Sequence, residues 1–488
     1  MAQRITKIRS DRLKKKEELL KLGVNPYPSS ISLKGERMAI SYARESLGKN
    51  VLVAGRIRAI RIHGGASFLD LEDFTASIQL LFQKNVLGER YSLISLFDAG
   101  DFLAVSGEVI KTQAGEITVR VSDFQFLSKA IRPLPSSWYG LKDIEERYRK
   151  RYLDLLLNPE VKQRFLTRTK LVREIRNYLD SLGYQEVETP TLQPLYGGAN
   201  AKPFKTHLNA LDCDMYLRIA DELYLKRLLV GSYEKVYEIC KDFRNEGMDL
   251  THNPEFTMIE YYEAYADYHR VMDVTEGLFK HLAKSIFGKM KIKVGEQEID
   301  ISKKWPRIKM VDIIREKLGI DVLEVSESFL TDYCRKNEIE LVGGESKGQL
   351  IYTIFEHKVT DLLIDPVWII DYPEAVSPLS KSKADEPGWV ERFEGYVGGK
   401  EICDGWSELN DPLIQRKRFE SDVKAARKDR EEAQQVDEDF LEAMEYGMPP
   451  IGGIGIGIDR LTMFFTNTWS IKEVILFPTM RPLLKKKK

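Results

Sequence analysis

The sequence predicts a mixed α+β protein of two domains: a small all-β domain, then a larger one in which helices and strands alternate. Three observations predict it. Residues 50–128 break into five short segments of alternating apolar character with turn residues between them. Beyond residue 145 helical and extended periodicities are interleaved. Neither a GxGxxG after a first strand nor a GxxxxGK[ST] occurs, which excludes dinucleotide-fold and P-loop architectures.

Composition sets the outer limits. At 488 residues the chain has room for more than one core. Its 74 Lys and Arg balance 75 Asp and Glu, so an RNA-binding surface has to be a local basic patch. The 4 cysteines form no CxxC, as expected in a reducing compartment. No apolar run is long enough for a bilayer and the N-terminus lacks a signal-peptide core, so a cytoplasmic protein without a membrane partner is expected.

Taken in order, residues 1–49 open with RITKIRSDRLKKKEELLKL, one charged helix to about residue 22, either solvated or resting beside RNA phosphate. The five segments of 50–128 suit a Greek-key barrel of the OB type, which stacks single-stranded bases on aromatics. Residues 129–144, including RPLPSSWYGLKD, form a proline- and serine-broken linker. The second domain, 145–488, begins with a helix over 161–182 stopped by Gly183 and followed by YQEVETP, an expected strand ending at Pro190. GGANAKPF is a glycine loop, and ADELYLKRLLVGS is a helix carrying Glu222 near its start.

The stretch 236–265 reads as strand, loop, strand. On the second strand Phe256, Met258, Glu260 and Tyr262 share a face. The loop supplies Arg244, Glu246 and His252. An arginine beside an aromatic shelf suits a nucleotide, gripping phosphate while the ring stacks on a base. GIGIGIDRLTMFFT, 453–466, is a strand with glycine at alternate positions, followed by a helix starting near Asp459 with Arg460 in its first turn. Its bare face lets a planar ligand lie on the backbone. Between these, 305–365 holds amphipathic helices, VWIIDYP a buried strand, and 419–435 a charged helix; KKKK ends the chain as a solvated tail.

RFEGYVGGKEICDGWSELND, 392–411, is an acidic hairpin. A Gly398-Gly399 turn pairs Val397 with Lys400 and Tyr396 with Glu401, and sets Glu394 opposite Cys403. Glu394 and Glu401 are then diagonal neighbours, roughly 7–8 Å apart, and their hard oxygens suit a divalent ion. Asp404, Trp406 and Glu408 fall on the parity opposite to Glu401. For all five to line one pocket, a bulge is required between Glu401 and Asp404 or at Gly405.

In order, the stretches 161–190, 236–265 and 453–466 resemble motifs 1, 2 and 3 of class II aminoacyl-tRNA synthetases. Nearly the whole chain resembles the bacterial class II lysyl-tRNA synthetases. The resemblance implies a catalytic domain of antiparallel sheet flanked by helices behind an OB-fold anticodon-binding domain. It implies ATP and Mg²⁺, L-lysine and tRNA(Lys) as partners, and a homodimer through motif 1, with which the apolar helix 161–182 and Pro190 are consistent. Arg244 is then expected on the α-phosphate and Arg460 on the γ-phosphate. Phe256 would stack on adenine, with Glu246, His252, Asn253 and Gly457 around the nucleotide. Gly198, Glu222, Glu260, Tyr262, Asp404, Trp406 and Glu408 would bind lysine, with Glu222 on its α-amino group and Glu408 on its ε-ammonium. Glu394 and Glu401 would hold magnesium. Phe68, Gln79 and Glu116, helped by Arg61, would read the anticodon.

The family usually has Asn at the place of Asp404 and Phe at that of Trp406, so this pocket gains an acid and is narrower. Aspartyl- and asparaginyl-tRNA synthetases share the architecture, but an aspartate pocket needs cations where this chain presents Glu408 and Asp404. A lysine ligase acting on a protein would normally lack the barrel. An RNA-binding protein without activity would lose the arginines or carboxylates, and none is missing. The lysine loop of class I enzymes is suggested faintly by SKSK at 380–383, without its HxGH partner.

Overall fold

The computed structural model describes residues 2–135, 141–425 and 435–483. Part of the expected linker (136–140), part of the charged helix (426–434) and the lysine tail (484–488) lie outside the described residues. The chain divides into two compact units, 1–140 and 141–488.

In the first unit, helix α1 (Ala2–Lys21) precedes strands β1 (Asn50–His63), β2 (Ala66–Glu72), β3 (Ser77–Gln83), β4 (Phe102–Lys111) and β5 (Ile117–Ser128). They close into a barrel in the order β1-β2-β3-β5-β4. Alternation dictates the closure: Leu69, Leu71, Ile78, Leu80 and Phe82 point inward and are buried, with partly exposed residues between them. The basic helix is not wholly a solvated face. Leu19 joins the barrel core, and buried Arg12 donates to the carbonyls of Ala99 (3.0 Å), Ala130 (3.0 Å) and Arg132 (2.9 Å).

The second unit is built on one sheet. Its strands are β6 (Gln185–Glu186), β7 (Lys235–Phe243), β8 (Glu255–Ala264), β9 (Arg307–Lys309), β10 (Val367–Pro373), β11 (Trp389–Val397), β12 (Lys400–Ser407) and β13 (Ile451–Gly457). Their order is β9-β10-β11-β12-β13-β8-β7-β6. Only the outermost pairs, β9–β10 and β6–β7, are parallel. Helices α2 (Pro159–Ser181) and α4 (Tyr268–Phe287) cover one face, where Leu171, Ile175 and Leu179 meet Tyr237, Ile259 and Tyr261. The other face, carrying the even-numbered residues of β8, is left for the site.

Two expectations need correction. The strand foreseen over YQEVETP shrinks to two paired residues, because the chain beyond Val187 turns away after one further bond to the Tyr237 carbonyl, 2.9 Å. The second concerns only which face of α2 is free: its apolar stripe is buried in the chain's own core, so a dimer through motif 1 would use other residues of that segment. The 305–365 helices, Met310–Leu318 and Lys347–Lys358, pack with β10 in a separate core at the sheet's far end.

Candidate active site and nucleic-acid face

On the open face of the sheet lies a cavity of about 350 Å³. The parity read from the sequence builds its floor: Phe256, Met258, Glu260 and Tyr262 line it, while Ile259 and Tyr261 between them are buried in the core behind. The register sets β13 alongside, with Met258 opposite Gly457, Glu260 opposite Gly455 and Tyr262 opposite Gly453. A methyl on Gly455 would come within 3.1 Å of Met258 Cε. Bare backbone therefore continues the flat surface that Phe256 begins.

Arg244, Glu246, His252, Asn253, Gly457 and Arg460 all line the same cavity. The Arg244 guanidinium stands 5.1 Å from the Phe256 ring centre. Among the described residues its side chain makes one hydrogen bond, a long one of 3.4 Å to the Ile219 carbonyl, so the group is positioned yet little engaged. Arg460 reaches Glu401 (3.3 Å) and His252 Nε2 (3.2 Å). His252 is oriented by Asp249, which takes its Nδ1 side at 2.8 Å. Burial opposes the Asp249 charge, but donors from Thr251 and His252 hold its carboxyl well below the usual range. Asn253 is buried, donating to the Glu255 carbonyl and accepting from the Thr479 N–H. Glu246 is exposed at the rim.

Asp459 was not among the predicted residues. Helix α5 (Ile458–Phe465) starts where β13 ends, and Asp459 in its first turn accepts from Arg168 of α2 (2.6 Å) and from the Thr257 N–H (2.7 Å). One buried carboxylate thus ties all three sequence stretches together. Its place in the helical first turn was legible; its partners, 291 and 202 residues away, were not.

The hairpin carries the required bulge. Val397 pairs with Lys400 and Tyr396 with Glu401, but Gly395 pairs with Cys403, leaving Ile402 as the extra residue. Glu394 therefore faces Asp404 and not Cys403 as expected, and Glu401, Asp404 and Trp406 reach the cavity together. Arg392, also unforeseen, grips Asp404 through two bonds (2.9 and 2.8 Å) and donates to Glu394 (2.7 Å). The extra acid of this pocket is thus neutralised at its source. Glu394 is buried, accepts also from the Tyr396 hydroxyl, and is pushed by burial up to about 8. Glu401 is partly exposed. Glu394 does not line the main cavity; both carboxylates line an adjoining one of about 540 Å³. Their hard oxygens, on one sheet face with Glu401 open to both cavities, fit a divalent cation.

Gly198, at φ +85°, packs so closely that a methyl would lie 3.0 Å from Ala220 Cβ and 3.3 Å from Glu222 Cβ. Helix α3 (Glu222–Val230) carries Glu222 into the cavity wall. Glu260 accepts from the Tyr262 hydroxyl at 2.7 Å. Burial, then the charges of Glu222 and Asp242, push Glu260 up to about 8. Asp242 belongs to a buried group with Asp221 and Cys240, to which Arg218 lends countercharge at 3.4 Å. Glu408 departs from expectation. It is not on the cavity wall: it lies behind Trp406, accepting its indole N–H (2.8 Å), and is paired with Lys226.

In the first unit, Arg61 and Phe68 are cross-strand partners on the outer face of the barrel, and Asp70 and Gln79 are another pair beside them. Phe68 is partly exposed, so it is not a core ring. Asp70 holds Arg61 by two bonds (2.8 and 2.6 Å), Gln79 accepts from Thr118 (2.9 Å), and Glu116 is exposed at the start of β5.

Comparison with known proteins fits this geometry. Residues 143–481 match the family "tRNA synthetases class II (D, K and N)", and 51–127 match "OB-fold nucleic acid binding domain". The chain belongs to the class II tRNA synthetases. It is 50% identical over 437 residues to a lysine–tRNA ligase of Thermoanaerobacter sp. (strain X514), covering 89% of this chain and 88% of that one. It is 48% identical over 484 residues to that of Carboxydothermus hydrogenoformans, covering 98% and 99%. It is 45% identical over 477 residues to that of Bacillus subtilis (strain 168), covering 96% of each. Within the class, its family is that of the lysine–tRNA ligases.

Proposed function

We propose that the protein activates L-lysine with ATP to lysyl-adenylate and transfers the lysyl group to the 3′-terminal adenosine of tRNA(Lys), for protein synthesis. The carrying observation is that one cavity holds an arginine–aromatic pair at one end and a cluster of buried carboxylates at the other. ATP lies with adenine stacked on Phe256, the glycine strand behind it and Asn253 beside it. Arg244 binds the α-phosphate, and Arg460, steadied by His252, the γ-phosphate. Glu222 takes the substrate α-ammonium and Gly198 leaves room for it. Glu260, Tyr262 and Trp406 line the side-chain end, and Glu408 supplies the negative charge behind it.

A lysine carboxylate oxygen attacks the α-phosphorus, and pyrophosphate leaves. The arginines take up the charge that develops on the phosphates. A magnesium ion held by Glu394 and Glu401 would add countercharge there. No protein nucleophile is required, since positioning and electrostatics carry this transfer. The tRNA 3′-hydroxyl then attacks the lysyl carbonyl, and AMP leaves. Phe68 stacks on an anticodon base, with Gln79, Glu116 and Arg61 at its edges. The setting is cytoplasmic; no described helix is long and apolar enough to cross a membrane. We also propose a homodimer through the motif 1 segment, by residues outside the buried stripe of α2; a monomeric mass at micromolar concentration would refute it.

The test is ATP–pyrophosphate exchange with each common amino acid and ornithine, without tRNA. Exchange with lysine alone is expected; exchange with another amino acid in its place would overturn the reading.

A further inference from the structure

Helix α3 carries a cation that the reaction above does not use. Lys226 lies one turn after Glu222 and is 1% exposed. Its ammonium is paired with Glu222 on its own helix and with Glu408 beyond the end of β12, and stands 6.0 Å from the Trp406 ring centre. Two carboxylates converging on one ammonium are themselves close neighbours. Glu408 Oε2 receives both Lys226 and the Trp406 N–H, while Oε1 is buried without a hydrogen-bond partner among the described residues. That oxygen lies where β13 is bare: a methyl on Gly453 would strike both it and the Tyr262 ring. Tyr262 is part of the cavity wall.

We propose that Lys226 is a positioning residue that sets amino-acid specificity: a resident ammonium that holds the Glu222 and Glu408 carboxylates together, favours their charged form and leaves one Glu408 oxygen unclaimed for the substrate's cationic end. The inference rests on the lysine-activating reading. Two carboxylates and one ammonium sum to −1, opposite to the net charge of +1 that lysine carries. Without Lys226, two buried like charges face each other, and one takes a proton. A protonated carboxyl no longer holds an ammonium. The surroundings push the same way, for the other titratable groups facing the trio are acids: Asp221 at the helix start, Glu260 and Tyr262 from β8, and Asp404 from β12. Burial raises Glu222 and pushes Glu408 up to about 8, and the Lys226 charge is the strongest influence holding both down. Burial would likewise strip the Lys226 proton, but the two carboxylates outweigh it and hold the ammonium charged.

The experiment compares Lys226→Met and Lys226→Arg with the wild type in lysine-dependent ATP–pyrophosphate exchange at pH 7, 8 and 9, with thermal melting as a check on folding. In the Met variant, KM for lysine is expected to rise on the order of 10–100-fold at pH 7, as for a buried charge pair that loses a partner. The turnover number and KM for ATP stay within about 3-fold, because the described partners of Lys226 are Glu222, Glu408 and Trp406, at the amino-acid end. The variant-to-wild-type KM ratio then shrinks toward pH 9, where the carboxyl pair gives up its proton. Arg keeps the charge, so its ratio is independent of pH. A Met variant with unchanged lysine KM, or with the same rise at every pH, overturns the proposal. If the Met variant does not fold, the Arg variant decides: a pH-independent ratio supports the proposal and a ratio that falls with pH overturns it. Absence of lysine-dependent exchange in the wild type would instead refute the functional reading beneath it.

Discussion

Replacing Asp404 with asparagine separates a pocket acid that meets the substrate from one that braces its neighbour. Asp404 accepts two bonds from Arg392, at 2.9 and 2.8 Å. Arg392 has three more partners: Glu394 (2.7 Å), the Val376 carbonyl (3.0 Å) and the Ser377 hydroxyl (3.1 Å). Asparagine offers one oxygen for two donors, so one charge-assisted bond is lost, about 1.5–3 kcal/mol. The other three hold the guanidinium in place. The melting temperature should therefore fall by roughly 3–8 °C, while lysine-dependent exchange keeps its KM and turnover within about 3-fold. Asp404→Ala removes both bonds and leaves Arg392 under-neutralised, costing about 3–5 kcal/mol. Steady-state exchange kinetics with a melting curve on each variant decide the matter. A 100-fold rise in lysine KM for the asparagine variant at unchanged melting temperature would show that the carboxylate faces the substrate, and the bracing argument would be wrong.

Other perturbations reach separate parts of the machinery. Arg244→Ala should cut adenylate formation by at least about 10²–10³-fold without lowering the melting temperature, since its side chain makes one long bond in the fold; near-normal exchange would remove its role. Glu260 is pushed up to about 8 and binds a cation only when ionised, so kcat/KM for lysine should climb as pH rises through about 8. Glu260→Gln should give a low profile without that inflection, and persistence of the inflection would assign it elsewhere. Phe68→Ala should lower kcat/KM for tRNA by about 5–150-fold, the worth of one stacked base, and leave exchange without tRNA unchanged; an effect on exchange would make Phe68 structural.

What could be read from sequence follows from the range of the interactions. The barrel strands, the β8 parity and the glycine strand depend on neighbours two residues apart, and they were legible. The bulge was legible as a necessity, because Glu401 and Asp404 have opposite parity; only the structure assigns it to Ile402 and moves Glu394 opposite Asp404. Long-range pairing was not legible. Nothing local links Arg168 to Asp459, or Lys226 to Glu408, although Lys226 at four residues from Glu222 was a signal available on the helix. The YQEVETP strand failed because extended propensity does not supply a partner, and β7 accepts only two of its residues.

The single extra residue at Ile402 makes this hairpin sensitive to length more than to composition. Almost any apolar residue at 402 would fill the same buried place. Inserting one more residue beside it would turn Asp404 and Trp406 to the far side of the sheet while Glu401 stayed, cutting the amino-acid end of the cavity from the metal-binding end, whereas deleting Ile402 would straighten the ladder and leave all three on one face. The two halves of the chemistry are thus kept in phase by a count of residues. A library built by apolar substitution at 402 should yield many active clones, and one built by single-residue insertion between Glu401 and Asp404 should yield none.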